Sequence, residues 1–281
     1  MFLDGAMKRA ADSAAARMAE VSASDLERRI ESAPQRAAFK PALASAGGPV
    51  RVIAEVKRRS PSAGEIRPGA RVKQVVREYE SGGAAAVSIL TSADFGGRLD
   101  DLAEASTATG LPLLRKDFVS CEYQVLEAAA FGASAVLLIS DALEGKRLES
   151  LIGFAEGLGL DALVEAHRRE SLEKALAAGA AIVGINNRDL RTLEVDLSAS
   201  ESLLRLVPPG MTTVSESGIK TREDVSRVRR SGADAILVGE ELMRAERPAE
   251  RLRELMCVGE AVTAVPATAA SAHTTETRRC L

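Results

Sequence analysis

Eight apolar runs in this 281-residue chain end in a charged or polar side chain. Lys57 ends RVIAEVK, Thr91 ends AVSILT, Lys116 ends LPLLRK, and Asp141 follows AVLLIS. Glu165, Asn186, Glu216 and Glu240 do the same for DALVE, AAIVGIN, MTTVSE and AILVGE. A buried strand end does not tolerate charge without a partner or a substrate. Lysines and carboxylates gathered in one place are acid–base machinery, because each moves its neighbours' pKa toward working pH. Such positioned groups contribute roughly 10²–10⁴-fold each. In the first run, Val52, Ala54 and Val56 share one face of a strand; Ile53, Glu55 and Lys57 share the other. Glu55 and Lys57 therefore point the same way, beside a Ser60-Pro61-Ser62 turn that Pro61, lacking an N–H, bars from continuing the strand.

The elements that must carry these residues follow from the spacing. Strand-like runs fall at 51–56, 85–90, 111–115, 135–140, 161–165, 181–186, 211–215 and 234–238. Amphipathic helical stretches lie between them at 71–80, 100–109, 122–131, 146–158, 169–178, 199–207 and 222–231. Several helices close on Gly and a small residue, at 81–83, 131–133, 178–180 and 231–233, which supplies a left-handed C-cap. Eight strands alternating with helices imply an α/β fold, a (β/α)₈ TIM barrel with an N-terminal helical extension. The competing open doubly wound sheet lacks its usual G-x-G-x-x-G turn after the first strand. In a barrel all the strand ends converge on one face, where active sites of this architecture are built. Ser217-Gly218 after the seventh strand and Gly239 after the eighth add a phosphate grip, with a short helix starting at Glu240. The expected ligand is a small phosphorylated metabolite.

Composition narrows the class. The net charge of −3 offers no Lys/Arg stripe for nucleic acid, and two Tyr without Trp make base stacking unpromising. Cys121, Cys257 and Cys280 form neither a disulfide framework nor, with His167 and His273, a metal cluster. Carboxylate-bound Mg²⁺ stays open. No apolar run is long enough to span a membrane and no signal-peptide core is present, so the expectation is a cytoplasmic, reduced protein. Residues 1–48 read as the helical extension packed on the barrel, 49–258 as the catalytic barrel, and 259–281 as a disordered tail. Within the extension, helices are expected at 4–20 and 25–32, the second opened by a capping box of Ser24 and Glu27, with a short turn near 37–43.

Taken together, AEVKRRSPSAG, LLRKDF, LVEAH, GINNRDL, SESGI and LVGEELMR resemble the indole-3-glycerol-phosphate synthase family of tryptophan biosynthesis across residues 50–256. The resemblance implies closure of 1-(2-carboxyphenylamino)-1-deoxyribulose 5-phosphate to indole-3-glycerol phosphate, with loss of CO₂ and water and no cofactor. Lys116 matches the family's general-acid lysine and Glu165 its acid–base carboxylate for the dehydration. Lys57 matches the lysine that holds the substrate carboxylate and can donate a proton, with Glu55 beside it and Glu216 as a further carboxylate of the site. Asn186 and Arg188 match the polar pair that orients the substrate, and Ser60 belongs to the loop that closes over it. Phosphate contacts carry over to Ser217, Gly218, Gly239 and the backbone N–H of Glu240. Phe95 and Phe118 would wall the anthranilate ring and Leu137 floor it, each of them equally at home as plain core. The family gives His167 no chemical role, and Cys121 has no base beside it. Two departures stand out: the loop TSADFGGRLDDL is shortened, and Ala63 stands where Lys is common. Another phosphate-binding barrel, such as phosphoribosylanthranilate isomerase, or a non-catalytic scaffold are the alternatives. The oligomer expected is a monomer or weak homodimer.

Overall fold

The eight apolar runs form the staves of a closed parallel barrel in a computed structural model of the protein, which describes residues 2–34, 36–45 and 48–256. The strands are β1 (Arg51–Val56), β2 (Ala86–Leu90), β3 (Leu113–Lys116), β4 (Ala135–Ile139), β5 (Asp161–Ala166), β6 (Ile182–Asn186), β7 (Thr212–Glu216) and β8 (Ala235–Val238). They pair in sequence order, and β1 closes the ring by pairing with both β2 and β8. The outer layer is α4 (Val72–Gly82), α5 (Leu99–Ser106), α6 (Glu122–Ala130), α7 (Gly145–Gly157), α8 (Arg169–Ala177), α9 (Ser198–Leu203) and α10 (Arg222–Arg230), followed by α11 (Glu240–Arg244) and α12 (Pro248–Met256).

Period-two alternation splits the apolar residues into two cores. Val52, Ala54, Val87, Ile89, Leu113, Val136, Leu138, Val164, Val183 and Ile236 face outward and pack under the helices. Ile53, Ala86, Leu114, Leu137, Leu163, Ile182, Val214 and Leu237 fill the barrel interior. Stepping two residues along the inner face gives Glu55, Lys116, Glu165, Gly184 and Glu216. The side chains at the top of the barrel thus continue the packed interior below them. Burying such side chains contributes about 1.5–3 kcal/mol apiece, and it fixes the register on which the polar ends depend.

The extension comprises α1 (Phe2–Glu20), α2 (Ala23–Ser32) and α3 (Phe39–Leu43). Phe39 and Leu43 are fully buried in the interior core, and the Lys40 N–H donates to Asp161, the first residue of β5, at 2.9 Å. α3 therefore plugs the end of the barrel opposite the charged strand ends. α2 packs Leu26 against Tyr123 and Leu126 of α6. Its capping box is Ser22 with Asp25, not Ser24 with Glu27. Ser22 has the extended backbone an N-cap needs, its hydroxyl accepts from Asp25 N–H at 3.2 Å, and Asp25 accepts from Ser22 N–H at 3.2 Å. Ser24 lies inside the helix, so it cannot cap it. The tail expected at 259–281, with His273 and Cys280, lies outside the described residues, as does Cys257.

Candidate active site

A cavity of about 730 Å³ opens at the C-terminal ends of the strands. At its base Lys116 lies between two carboxylates, donating to Glu165 at 3.0 Å and to Glu216 at 2.8 Å. Lys57 pairs with Glu55 at 2.9 Å on the neighbouring inner face of β1. Glu55, Glu165 and Glu216 are buried, and the Lys116 side chain keeps only 15% of its exposure. Two carboxylate oxygens, Glu55 Oε2 and Glu216 Oε1, are buried without a hydrogen-bond partner among the described residues. Glycines make room for these carboxylates. A Cβ at Gly184 would lie 2.2 Å from Glu216 Oε1, and one at Gly239 would lie 2.4 Å from Glu55 Oε1.

The electrostatics follow from three carboxylates sharing two ammonium groups out of water. Burial pulls the Lys116 ammonium down, but Glu165, Glu216 and Glu55 outweigh it and hold the group above the ordinary lysine range. Burial and the charges of Glu165 and Glu55 push Glu216 up to about 7, against the pull of Lys116. A carboxyl raised in the folded state binds its proton more tightly there than in the unfolded chain. Its contribution to stability is therefore complete below the unfolded pKa and lost as pH rises through about 7. Glu216→Gln, which imitates the protonated form, is expected to raise the urea midpoint at pH 8 and leave it nearly unchanged at pH 5. A wild-type stability that does not fall between those pH values would contradict this.

All fifteen residues picked out in the sequence line this cavity: Glu55, Lys57, Ser60, Phe95, Lys116, Phe118, Leu137, Glu165, Asn186, Arg188, Glu216, Ser217, Gly218, Gly239 and Glu240. Phe95 and Phe118 stack with ring centroids 6.2 Å apart. Ser60 sits in a two-residue hairpin over the mouth and accepts from Ala63 N–H at 3.1 Å. Arg188 reaches across its own loop to the Leu193 carbonyl at 2.9 Å. The ring of strand ends is less complete than the spacing suggested, since Thr91 and Asp141 turn away from the cavity. Thr91 donates to Asp117 at 2.6 Å, and Asp141 accepts from Arg168 at 2.8 Å. His167 Nδ1–H donates to the Asn186 carbonyl at 2.7 Å. Cys121 sits at the start of α6, its thiol 3.5 Å from Gln124 Oε1.

Several lining residues carried no signal in the sequence. Phe2, at the start of α1, meets the Phe118 ring edge-on at 6.1 Å, so the extension supplies part of the aromatic wall. Leu190, Leu193 and Val195 come from the loop after β6, where Leu193 holds a left-handed backbone (φ 66°). Behind the wall runs a chain of ion pairs. Arg115, 1% exposed on the outer face of β3, donates to Thr91, to the Gln124 carbonyl, to Glu127 and to Asp117. Arg17 of α1 grips the other side of Glu127, with bonds of 2.5 and 2.8 Å. Asp117 in turn accepts from the Phe118 N–H at 2.9 Å. The inner neighbour of Arg115 is Lys116, so this network braces the strand end that carries the lysine. Among the described residues, no group of three or more His, Cys, Asp or Glu is arranged to hold a metal ion.

Comparison with known proteins gives a consistent picture. The sequence profile of the family "Indole-3-glycerol phosphate synthase" matches residues 3–255. An indole-3-glycerol phosphate synthase from Endomicrobium trichonymphae is 47% identical over 218 residues, 77% of this chain and 84% of that protein. One from Sulfurimonas denitrificans is 42% identical over 258 residues, covering 91% of this chain and 98% of its own. Among solved structures, a thiamine phosphate pyrophosphorylase from Pyrococcus furiosus superposes with a TM-score of 0.58 at 19% identity, over 74% of this chain and 95% of that one. That likeness speaks for the barrel alone.

Proposed function

The chain belongs to the indole-3-glycerol phosphate synthase family, and from that premise we propose how its cavity closes the indole ring. It is a carboxy-lyase of tryptophan biosynthesis that acts on a phosphorylated small molecule. One observation carries the mechanism: Lys116 lies within hydrogen-bond distance of both Glu165 and Glu216 at the base of the cavity. The Phe95–Phe118 pair and the Ser217-Gly218 turn line the same cavity.

In this reading the anthranilate ring of the substrate lies against Phe95 and Phe118 over Leu137, and its carboxylate meets Lys57. Ser217, Gly218, Gly239 and the Glu240 N–H take the phosphate, Asn186 and Arg188 orient the sugar, and Ser60 closes over the mouth. As the ring carbon attacks the sugar carbonyl, Lys116 gives its proton to the oxygen. The ammonium is protonated at working pH, and the developing alkoxide is the stronger base. Loss of the carboxylate as CO₂ returns its bonding electrons to the ring. The new hydroxyl then leaves as water, with Lys57 donating and Glu165 moving the remaining proton. Glu216 keeps Lys116 aimed, and a partly protonated Glu216 limits the net negative charge that a doubly anionic substrate meets. The whole sequence uses side chains alone, and we read the protein as a cytoplasmic monomer or weak homodimer with no nucleic-acid partner. Among the described residues no helix is long and apolar enough to cross a membrane.

The test is direct. The purified protein, mixed with 1-(2-carboxyphenylamino)-1-deoxyribulose 5-phosphate in metal-free buffer, is expected to produce the fluorescence of the indole product. Folded protein that binds the compound without converting it would overturn the catalytic reading. Activity only on adding a divalent ion would overturn the cofactor-free one.

A further inference from the structure

Asn187 follows β6 and is fully buried, outside the cavity lining. Its amide nitrogen donates to the Ser215 hydroxyl at 3.1 Å and to the carbonyls of Glu216 and Ser217 at 2.9 and 3.0 Å. Its carboxamide oxygen accepts from the Ser200 N–H of α9 at 3.0 Å. Its own backbone N–H donates to the Glu216 carbonyl at 2.9 Å, and its carbonyl accepts from Asp196 N–H at 2.9 Å. Every polar group of the residue is used, and four of the six bonds run to the end of β7 and the turn that follows it.

That turn is in an unfavourable conformation. Ser217 and Gly218 are both left-handed, with φ of 66° and 79°. L-residues avoid this region, so a Ser held there needs support from outside the turn. A Cβ at Gly218 would also fall 2.5 Å from Val195 Cγ1, leaving no room for another residue. In a planar trans peptide the C=O and the following N–H point in opposite directions. With the Glu216 and Ser217 carbonyls both turned to Asn187, the N–H groups of Ser217 and Gly218 point away from it, to the cavity side. Among the described residues neither N–H has a protein acceptor.

We propose that Asn187 is a positioning residue that holds this turn left-handed, so that two backbone N–H groups face the substrate phosphate. The proposal rests on the assignment of the turn to phosphate made above. It also explains why a carboxamide is needed. One end of the side chain faces carbonyl and hydroxyl oxygens, the other an N–H, so isosteric aspartate presents an oxygen to the carbonyls and the donor is lost.

Asn187→Asp tests this with three readouts in the intact protein: KM against kcat, competitive inhibition by inorganic phosphate, and turnover of the substrate lacking its phosphate. The expected result is a KM raised by about tenfold or more and phosphate inhibition weakened in parallel, with kcat within about threefold. Turnover of the substrate without phosphate should be equal in wild type and variant. Unchanged phosphate inhibition, or an equal loss on both substrates, would reduce Asn187 to a structural residue and overturn the proposal. Wild-type protein indifferent to inorganic phosphate, with no preference for the phosphorylated substrate, would instead remove the assignment of the turn itself. Asn187→Ser, smaller and with one donor, gives the same readouts should the aspartate variant fail to fold.

Discussion

Lys116→Ala is expected to lower kcat by about 10²–10⁴-fold while KM changes by less than about threefold. The lysine is 3.0 Å from Glu165 and 2.8 Å from Glu216, and among the described residues it is the one cation paired with both. Its removal takes away the proton donor for the sugar oxygen but none of the aromatic wall or the phosphate turn. The fold should survive, because Glu216, already pushed up to about 7 with Lys116 present, takes up a proton when that charge is lost. Steady-state kinetics with the carboxyphenylamino substrate, together with direct binding, separate the two effects. Turnover close to wild type would remove Lys116 from the chemistry.

Arg115→Ala should have the largest effect on stability. Among the described residues it leaves Glu127 with only Arg17 as cation, and Asp117 with none, in a layer where both carboxylates are buried. Breaking a buried ion pair from one side costs about 3–5 kcal/mol, a large share of a domain's stability. Urea unfolding should show an unfolding free energy lower by that amount, read as the midpoint shift multiplied by the m-value. Arg115→Met combined with Asp117→Asn should lose less than Arg115→Ala alone, because it removes the carboxylate charge left without a cation and keeps an acceptor for the Phe118 N–H. A single-variant loss under about 1 kcal/mol would mean the network carries little.

The extent to which the site could be read from the chain depended on the range of the signal. Strand parity is local: with Ile53 inside, Glu55 and Lys57 must follow it inside, and the same step leads from Leu114 to Lys116 and from Val214 to Glu216. Thr91 breaks that parity, falling with Val87 and Ile89 on the outer face, where it donates to Asp117, whereas Asp141 keeps the parity of Leu137 and Ile139 but is captured by Arg168 on another element, which no window around it reveals. Asn187 was visible only as the second Asn of INNRDL, and the partners of its side chain lie 13 to 30 residues away. Phe2 reaches a wall whose other members are about a hundred residues distant. The capping box was misplaced by two residues because Ser22 and Ser24 are equally good caps by type, and only the chain's turn into α2 decides between them.

The aromatic wall has a consequence for how this enzyme could change. Its chemistry sits on barrel staves, where moving one side chain disturbs neighbours on every side. Its wall is assembled from the tip of α1, the loop after β2 and the segment after β3, none of them part of the barrel sheet. On the binding mode proposed above, recognition of the ring and conversion of the sugar are thus built from separable parts. Substitutions at Phe2 or Phe95 can re-cut the pocket for halogenated or enlarged anilines while Lys116 and its carboxylates stay where they are. A library confined to those two positions would be the economical route to substituted indoles.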